Sequence, residues 1–239
     1  MAIIGVDDAA QIRELFSQRL TRDVTLVHYT QRESRIVVPG VVPCATCRDN
    51  LQLLEELVAL GDRLYLEVHD FKAEADVAAK AGIDKIPATV VRGADGGERA
   101  RFFGVPAGYE FTTLLEDILE VGGDGSQLSE KNAAALAGLQ GDVHIQVFVT
   151  PTCPYCPAAV RAGHALAFVS ERVIADMVMA TEFPQVAQRY GVMAVPKVVI
   201  NETRSFEGAV PEDLFVAQVV AAASGAQASP SVGGAGSTR

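Results

Sequence analysis

Residues Val143-His144-Ile145-Gln146-Val147-Phe148-Val149 alternate at period two, the pattern of a strand. An apolar, Ala-rich stretch follows, and the spacing predicts a helix from Pro157 to Ser170, with Pro157 in the first turn where a missing N–H costs little. Val173–Met179 reads as a second strand. Phe183–Tyr190 reads as a helix stopped by Gly191. Strands Lys197–Ile200 and Arg204–Glu207 then flank a turn at Asn201-Glu202, and a helix over Pro211–Ala223 ends the pattern. The preceding residues carry the same order. Strand Val24–Tyr29 leads to a helix after Cys47, strand Leu64–Val68, helix Ala73–Ala81, and a hairpin over Ala88–Phe103 turning on Gly93–Gly97. Helix Glu110–Val121 closes this half. Introductory helices are expected at Asp8–Arg19 and Ser129–Leu139.

The parallel extends to single residues. Cys44 and Cys153, Gly82 and Gly191, and Pro87 and Pro196 are each 109 positions apart. The same offset carries Glu67 onto Asp176, each in an apolar strand. A cysteine pair, a glycine, a proline and an acid in one register mark an internal duplication. The expected division is a unit over 1–122, a second over 123–223, and a disordered tail over 224–239 rich in Gly, Ser and Ala. Gly122-Gly123-Asp124-Gly125-Ser126 reads as the linker.

A chain of 239 residues with 49% hydrophobic content supports two cores. The net charge of −10 argues against a nucleic-acid partner, since phosphate binding needs basic surface. Apolar runs fall short of the ~20 residues of a membrane span, and acid arrives early at Asp7-Asp8 where a signal peptide would be apolar. A cytoplasmic location without membrane attachment is therefore expected. There, Cys44, Cys47, Cys153 and Cys156, in two C-x-x-C pairs, point to redox chemistry or a metal.

Each pair follows a strand and opens a helix, and each has a proline 43 positions on. Around Phe148-Val149-Thr150-Pro151-Thr152-Cys153-Pro154-Tyr155-Cys156-Pro157 and Val192-Met193-Ala194-Val195-Pro196-Lys197 the sequence resembles glutaredoxins. Two such units in one chain resemble the protein disulfide oxidoreductases of thermophilic archaea and bacteria, over about Ile12 to Ala222. The resemblance implies an α/β architecture of two tandem thioredoxin-like folds. It also implies cis prolines at Pro87 and Pro196, each facing its cysteine pair, with Ile86 and Val195 presenting backbone groups to a substrate strand.

The chemistry expected is disulfide exchange, in which a thiolate is the nucleophile. A helix N-terminus favours that anion, so Cys44 and Cys153 are assigned as attacking sulfurs and Cys47 and Cys156 as resolving ones. Tyr155, within the glutaredoxin-type Pro-Tyr dipeptide, is a substrate-side candidate. Glu67 and Asp176 are candidate buried acids that exchange protons with the resolving thiols, against the plainer reading of strand-end charges. Arg48 stands beside Cys47 either to hold a thiolate or to face solvent. Fourteen residues separate Tyr29 from Cys44 but three separate Val149 from Cys153. The extra apolar segment, Ile36–Pro43, is read as a lid, a client-binding patch or a stretch packed back onto its own domain.

No cofactor beyond the redox-active disulfides is expected. The partners expected are client proteins with thiols or disulfides and, by resemblance, a thioredoxin-reductase-like flavoenzyme. A narrower reading is a dedicated electron carrier between a flavin reductase and a peroxiredoxin, since the N-terminal module of such reductases is also two fused thioredoxin folds. The rival from another class is a four-cysteine structural zinc site. His28, His69, His144 and His164 show no metal-ligand spacing to either pair, and the glycines lack the strand–helix context of a phosphate loop.

Overall fold

The computed structural model describes residues 2–31, 43–126 and 128–224. The apolar insertion up to residue 42 and the tail after Ser224 lie outside the described residues. Helix α1 (Val6–Arg19) precedes strand β1 (Val24–Thr30), helix α2 (Cys47–Val58), strand β2 (Leu64–Asp70), helix α3 (Ala75–Lys80), strands β3 (Ala88–Arg92) and β4 (Ala100–Phe103), and helix α4 (Tyr109–Leu119). The second half runs α5 (Glu130–Ala137), β5 (Val143–Val149), α6 (Cys156–Val169), β6 (Val173–Met179), α7 (Pro184–Arg189), β7 (Lys197–Ile200), β8 (Arg204–Glu207) and α8 (Glu212–Ala223). Each strand expected from the pattern is present, and those of the second half begin and end where the alternation does.

The two halves do not form separate sheets. Their strands join in one eight-stranded sheet ordered β2-β1-β3-β4-β6-β5-β7-β8. The seam is a parallel pairing of β4 with β6, in register from Ala100–Ala175 to Phe103–Val178. Within each half the second strand pairs parallel to the first and the hairpin adds antiparallel. Directions follow: β1, β2, β4, β5, β6 and β8 all point one way, and β3 and β7 the other. The segments after β1 and β5, which hold the cysteines, therefore leave from the same edge of the sheet, and β3 and β7, which follow the two prolines, start there.

Successive strand residues point to opposite faces. Leu26, Phe102, Val147, Ala175 and Val198 pack into the core under α1, α2, α4, α5, α6 and α8. Val27, Phe103, Phe148, Val178 and Val199 pack on the other face with Ala78 of α3 and Ala187 of α7. Both cores cross the seam without a break.

The Gly122–Ser126 segment is docked. After Leu119 the chain continues through a π-helical turn, Glu120–Asp124. The Gly122 carbonyl accepts the N–H groups of Thr21 at 2.9 Å and Arg22 at 2.8 Å. A Cβ on Gly123 would fall 1.8 Å from the Arg19 carbonyl oxygen, so a glycine is required for this approach.

Candidate disulfide-exchange sites

Both cysteine pairs are closed as disulfides, Cys44–Cys47 and Cys153–Cys156, each with Cα atoms 5.5 Å apart. The second cysteine of each pair is the first residue of a helix, α2 or α6. A helix thus begins beside each first sulfur, and the positive end of its dipole favours a thiolate there. Cys47 and Cys156 are buried, Cys153 is nearly so, and Cys44 is partly open. The pairs stand four strand spacings apart, roughly 19 Å along the sheet, so the four thiols do not converge on one tetrahedron as a four-cysteine zinc site demands.

The Ile86–Pro87 and Val195–Pro196 peptide bonds are both cis, as the resemblance implies. Cys153 Sγ lies 3.8 Å from the Val195 carbonyl oxygen. Ile86 lines a cavity of about 580 Å³ with Cys44, Ala45 and Thr46. Around the second pair, Tyr155 is 70% exposed and Met193 91% exposed.

Of the two acids expected to be buried beneath the pairs, Asp176 is buried and Glu67 is not. The Glu67 side chain is 41% exposed, pairing with Arg92 and with His69 at 2.7 Å. It is a surface ion-pair residue on β2, an outer strand, on the face that also carries His69. Asp176 is fully buried, but both oxygens are committed, to Arg101 Nε at 2.6 Å and His144 Nε2 at 2.6 Å. Burial alone would raise its carboxyl, yet Arg101 and His144 hold it below the usual range. A carboxylate held low by two partners is a poor proton acceptor, and the Arg101–Asp176 pair joins β4 to β6.

Two buried titratable groups carry no repeat or motif that marks them in the sequence. Glu110, in the first turn of α4, is fully buried; Thr113 donates to one carboxyl oxygen at 2.8 Å, and the other has no hydrogen-bond partner among the described residues. Burial pushes its carboxyl up to about 7, against a weaker lowering by Thr113. The start of α4 abuts the loop before Cys153, since Tyr109 N–H donates to the Pro151 carbonyl at 3.2 Å. A Cβ on Gly108, at φ 63°, would meet that same carbonyl oxygen at 2.1 Å. One signal is present in the helical period: Glu110, Leu114 and Asp117 share one stripe at i, i+4, i+7, so two acids occupy an apolar face. His28, on β1, is fully buried, with Nδ1 3.0 Å from the Ala88 carbonyl and Nε2 without a hydrogen-bond partner among the described residues. Burial lowers it to about 4, opposed by the Ala88 contact.

These shifts predict a masked pH dependence of stability. Native Glu110 keeps its proton up to about 7, whereas the unfolded chain releases it near 4.5. Stability from this group therefore falls as pH rises between those values. Native His28 stays neutral down to about 4, whereas the unfolded chain takes a proton near 6.5, so its contribution falls as pH drops across that range. Between pH 4.5 and 6.5 the slopes oppose, each by up to about 1.4 kcal/mol per pH unit. Urea titrations across that window should show Glu110→Gln rising more steeply with pH than the parent protein. Parallel curves for the two would contradict this placement of Glu110.

A model of the thioredoxin domain matches residues 143–221. The F component of the alkyl hydroperoxide reductase of Xanthomonas campestris pv. phaseoli is 29% identical over 196 residues, 81% of this chain and 35% of the relative. An NADH dehydrogenase of Bacillus subtilis (strain 168) is 26% identical over 156 residues, 65% of this chain and 28% of the relative. The chain thus spans about a third of the length of these curated relatives. Among solved structures, a protein disulfide oxidoreductase from Aeropyrum pernix k1 superposes with a TM-score of 0.84 at 28% identity, covering 96% of this chain and 97% of that one. The F component of the alkyl hydroperoxide reductase of Enterococcus faecalis (V583), as a C503A mutant, shares the fold with a TM-score of 0.79 at 24% identity, covering 90% and 98%. With two Cys-x-x-Cys disulfides and these likenesses along nearly its whole length, the chain has tandem thioredoxin folds and is similar to a protein disulfide oxidoreductase.

Proposed function

We propose that the protein is a thiol–disulfide oxidoreductase that reduces, forms and isomerises disulfides in cytoplasmic client proteins, with no cofactor beyond its two cysteine pairs. The observation that carries this reading is the Cys153–Cys156 disulfide at the start of α6, with the Val195 carbonyl beside its outer sulfur. In reduction, the Cys153 thiolate attacks a client disulfide, forming a mixed disulfide and expelling a client thiolate that takes up a proton. Cys156, having lost its proton, then attacks Cys153. The second client thiol leaves, and the Cys153–Cys156 bond returns. Two electrons pass to the client, and a partner dithiol or flavoenzyme of the thioredoxin-reductase kind must restore them. Cys44 and Cys47 follow the same course in the unit over 1–122, as Cys153 and Cys156 do in the unit over 123–223.

In this reading Val195 and Ile86, held by Pro196 and Pro87, offer backbone groups to the client strand, and Tyr155 and Met193 offer apolar contact. In the same reading Glu110, buried at the helix start that abuts the loop before Cys153 and raised to about 7, takes the proton-exchange role first sought in Asp176 at the second pair. The test is thiol titration of the denatured protein before and after dithiothreitol, with an insulin-reduction assay. Two reducible disulfides and turnover are expected. Stoichiometric zinc without turnover would overturn the reading.

A second reading is favoured by the likeness to the F component of alkyl hydroperoxide reductase over 81% of this chain. Here the protein is a dedicated carrier between a flavin reductase and a peroxiredoxin. Reduction of a peroxiredoxin far faster than of insulin would favour it.

A further inference from the structure

Glu182 belongs to the second half, in the turn between β6 and α7, yet it reaches the first cysteine pair. One carboxylate oxygen accepts the hydroxyl hydrogen of Thr46, inside Cys44-Ala45-Thr46-Cys47, and the other accepts the N–H of Val105 at 2.7 Å. The seam explains the reach: β4 and β6 are paired and parallel, so their exits lie together on the edge where α2 begins. Gly104, at φ 96°, makes room, for a Cβ there would meet Glu182 Oε1 at 2.7 Å. Glu182 also lines, with Cys44, Ile86, Lys72, Phe183 and Pro184, the cavity at the first pair. Among the described residues the second pair has no counterpart. The 109-residue offset carries Thr46 onto Tyr155, 70% exposed, and Glu182 onto Ala73.

We propose that Glu182 is a positioning residue for the first pair, supplied across the seam, which disfavours the Cys44 thiolate and so keeps the Cys44–Cys47 couple more reducing. Two effects act together. Its negative charge stands at the helix start that would stabilise the Cys44 anion, and it engages the Thr46 hydroxyl, which is thereby not donated to sulfur. Among the described residues, Lys72 after β2 is the other charged group lining this cavity, and Arg48 and Asp49 follow Cys47 in the first turn of α2. Lys72 and Arg48 favour the thiolate, and Glu182 and Asp49 oppose it. Reduction breaks the Cys44–Cys47 bond with two electrons from a dithiol, which becomes a disulfide and releases two protons. Cys47 takes one, and Cys44 takes the other to the extent that its thiolate is disfavoured. Removing the charge therefore stabilises the reduced form.

This inference rests on the first pair being an exchanging couple. The test uses the full chain with Cys153→Ser and Cys156→Ser, equilibrated against ratios of reduced and oxidised dithiothreitol, with thiolate ultraviolet absorbance followed against pH. Glu182→Gln should shift the equilibrium about fivefold toward the dithiol, about 20 mV for a two-electron couple, and lower the pH at which Cys44 ionises. Glu182→Asp, which retains the charge, should stay closer to the parent. Retention of the parent's equilibrium and ionisation in Glu182→Gln would overturn the inference alone. An equal shift of the second pair, in a Cys44→Ser, Cys47→Ser background, would overturn it as a general structural effect. A first pair that never exchanges with dithiothreitol would overturn the inference together with the first site's part in the function.

Discussion

Cys153→Ser is expected to slow insulin reduction by about a hundredfold or more, an increase of about 2.7 kcal/mol in the barrier, whereas Cys44→Ser changes it by less than about twofold. The asymmetry comes from the surroundings of the two sulfurs. Cys153 lies against the Val195 carbonyl, two positions before the exposed Tyr155, with Glu110 buried at the helix start that abuts its loop. Cys44 faces a cavity walled by both halves and has a carboxylate linked to its own motif. Without its attacking thiolate the second pair has no covalent route, so the residual rate belongs to the first. Cys156→Ser should behave differently, trapping a mixed disulfide between Cys153 and the client, visible on a non-reducing gel. An equal or larger loss with Cys44→Ser would reverse the ranking of the sites.

Asp176→Ala should destabilise the fold by about 3–5 kcal/mol, because it leaves Arg101 buried and uncompensated. Arg101 and Asp176 are 4% and 1% exposed, and they pair across the seam, one from β4 and one from β6. Arg101 also donates to the Ala81 and Gly82 carbonyls, so it is tied into the first half. In urea the midpoint should fall with little change in slope, since the surface exposed on unfolding is unchanged. Replacing both residues with apolar ones of similar volume should restore much of the loss. A cost under about 1 kcal/mol for Asp176→Ala would mean that the seam is hydrated. Asp176 also titrates below the usual range in the fold. Its contribution is therefore present above the unfolded carboxylate value and is lost as pH falls through the folded one.

Local chemistry was readable along the chain wherever it depends on neighbours in sequence. Alternation placed Val143–Val149 and Val173–Met179 to the residue, because side chains in a strand take opposite faces at each step. The cysteine spacing placed each pair at a helix start, since two intervening residues bring the second cysteine onto the first turn. The 109-residue register set the two halves in correspondence. That Pro87 and Pro196 are cis came from resemblance, because an X-Pro bond's isomer is chosen by surroundings the local sequence does not contain.

What the tertiary structure alone decided is how the halves meet and which charges are buried. The β4–β6 pairing joins residues such as Arg101 and Asp176, 75 positions apart, through backbone groups that every residue carries, so no composition marks it. Gly122–Ser126 has the composition of a tether, and its docking depends on where α1 ends. Glu67 and Asp176 share one place in the repeat, but β2 is an outer strand and β6 lies inside the sheet, so one is solvated and the other desolvated. Glu110, His28 and Glu182 are ordinary polar residues as letters. Their chemistry comes from the low-dielectric or cross-seam surroundings that packing supplies.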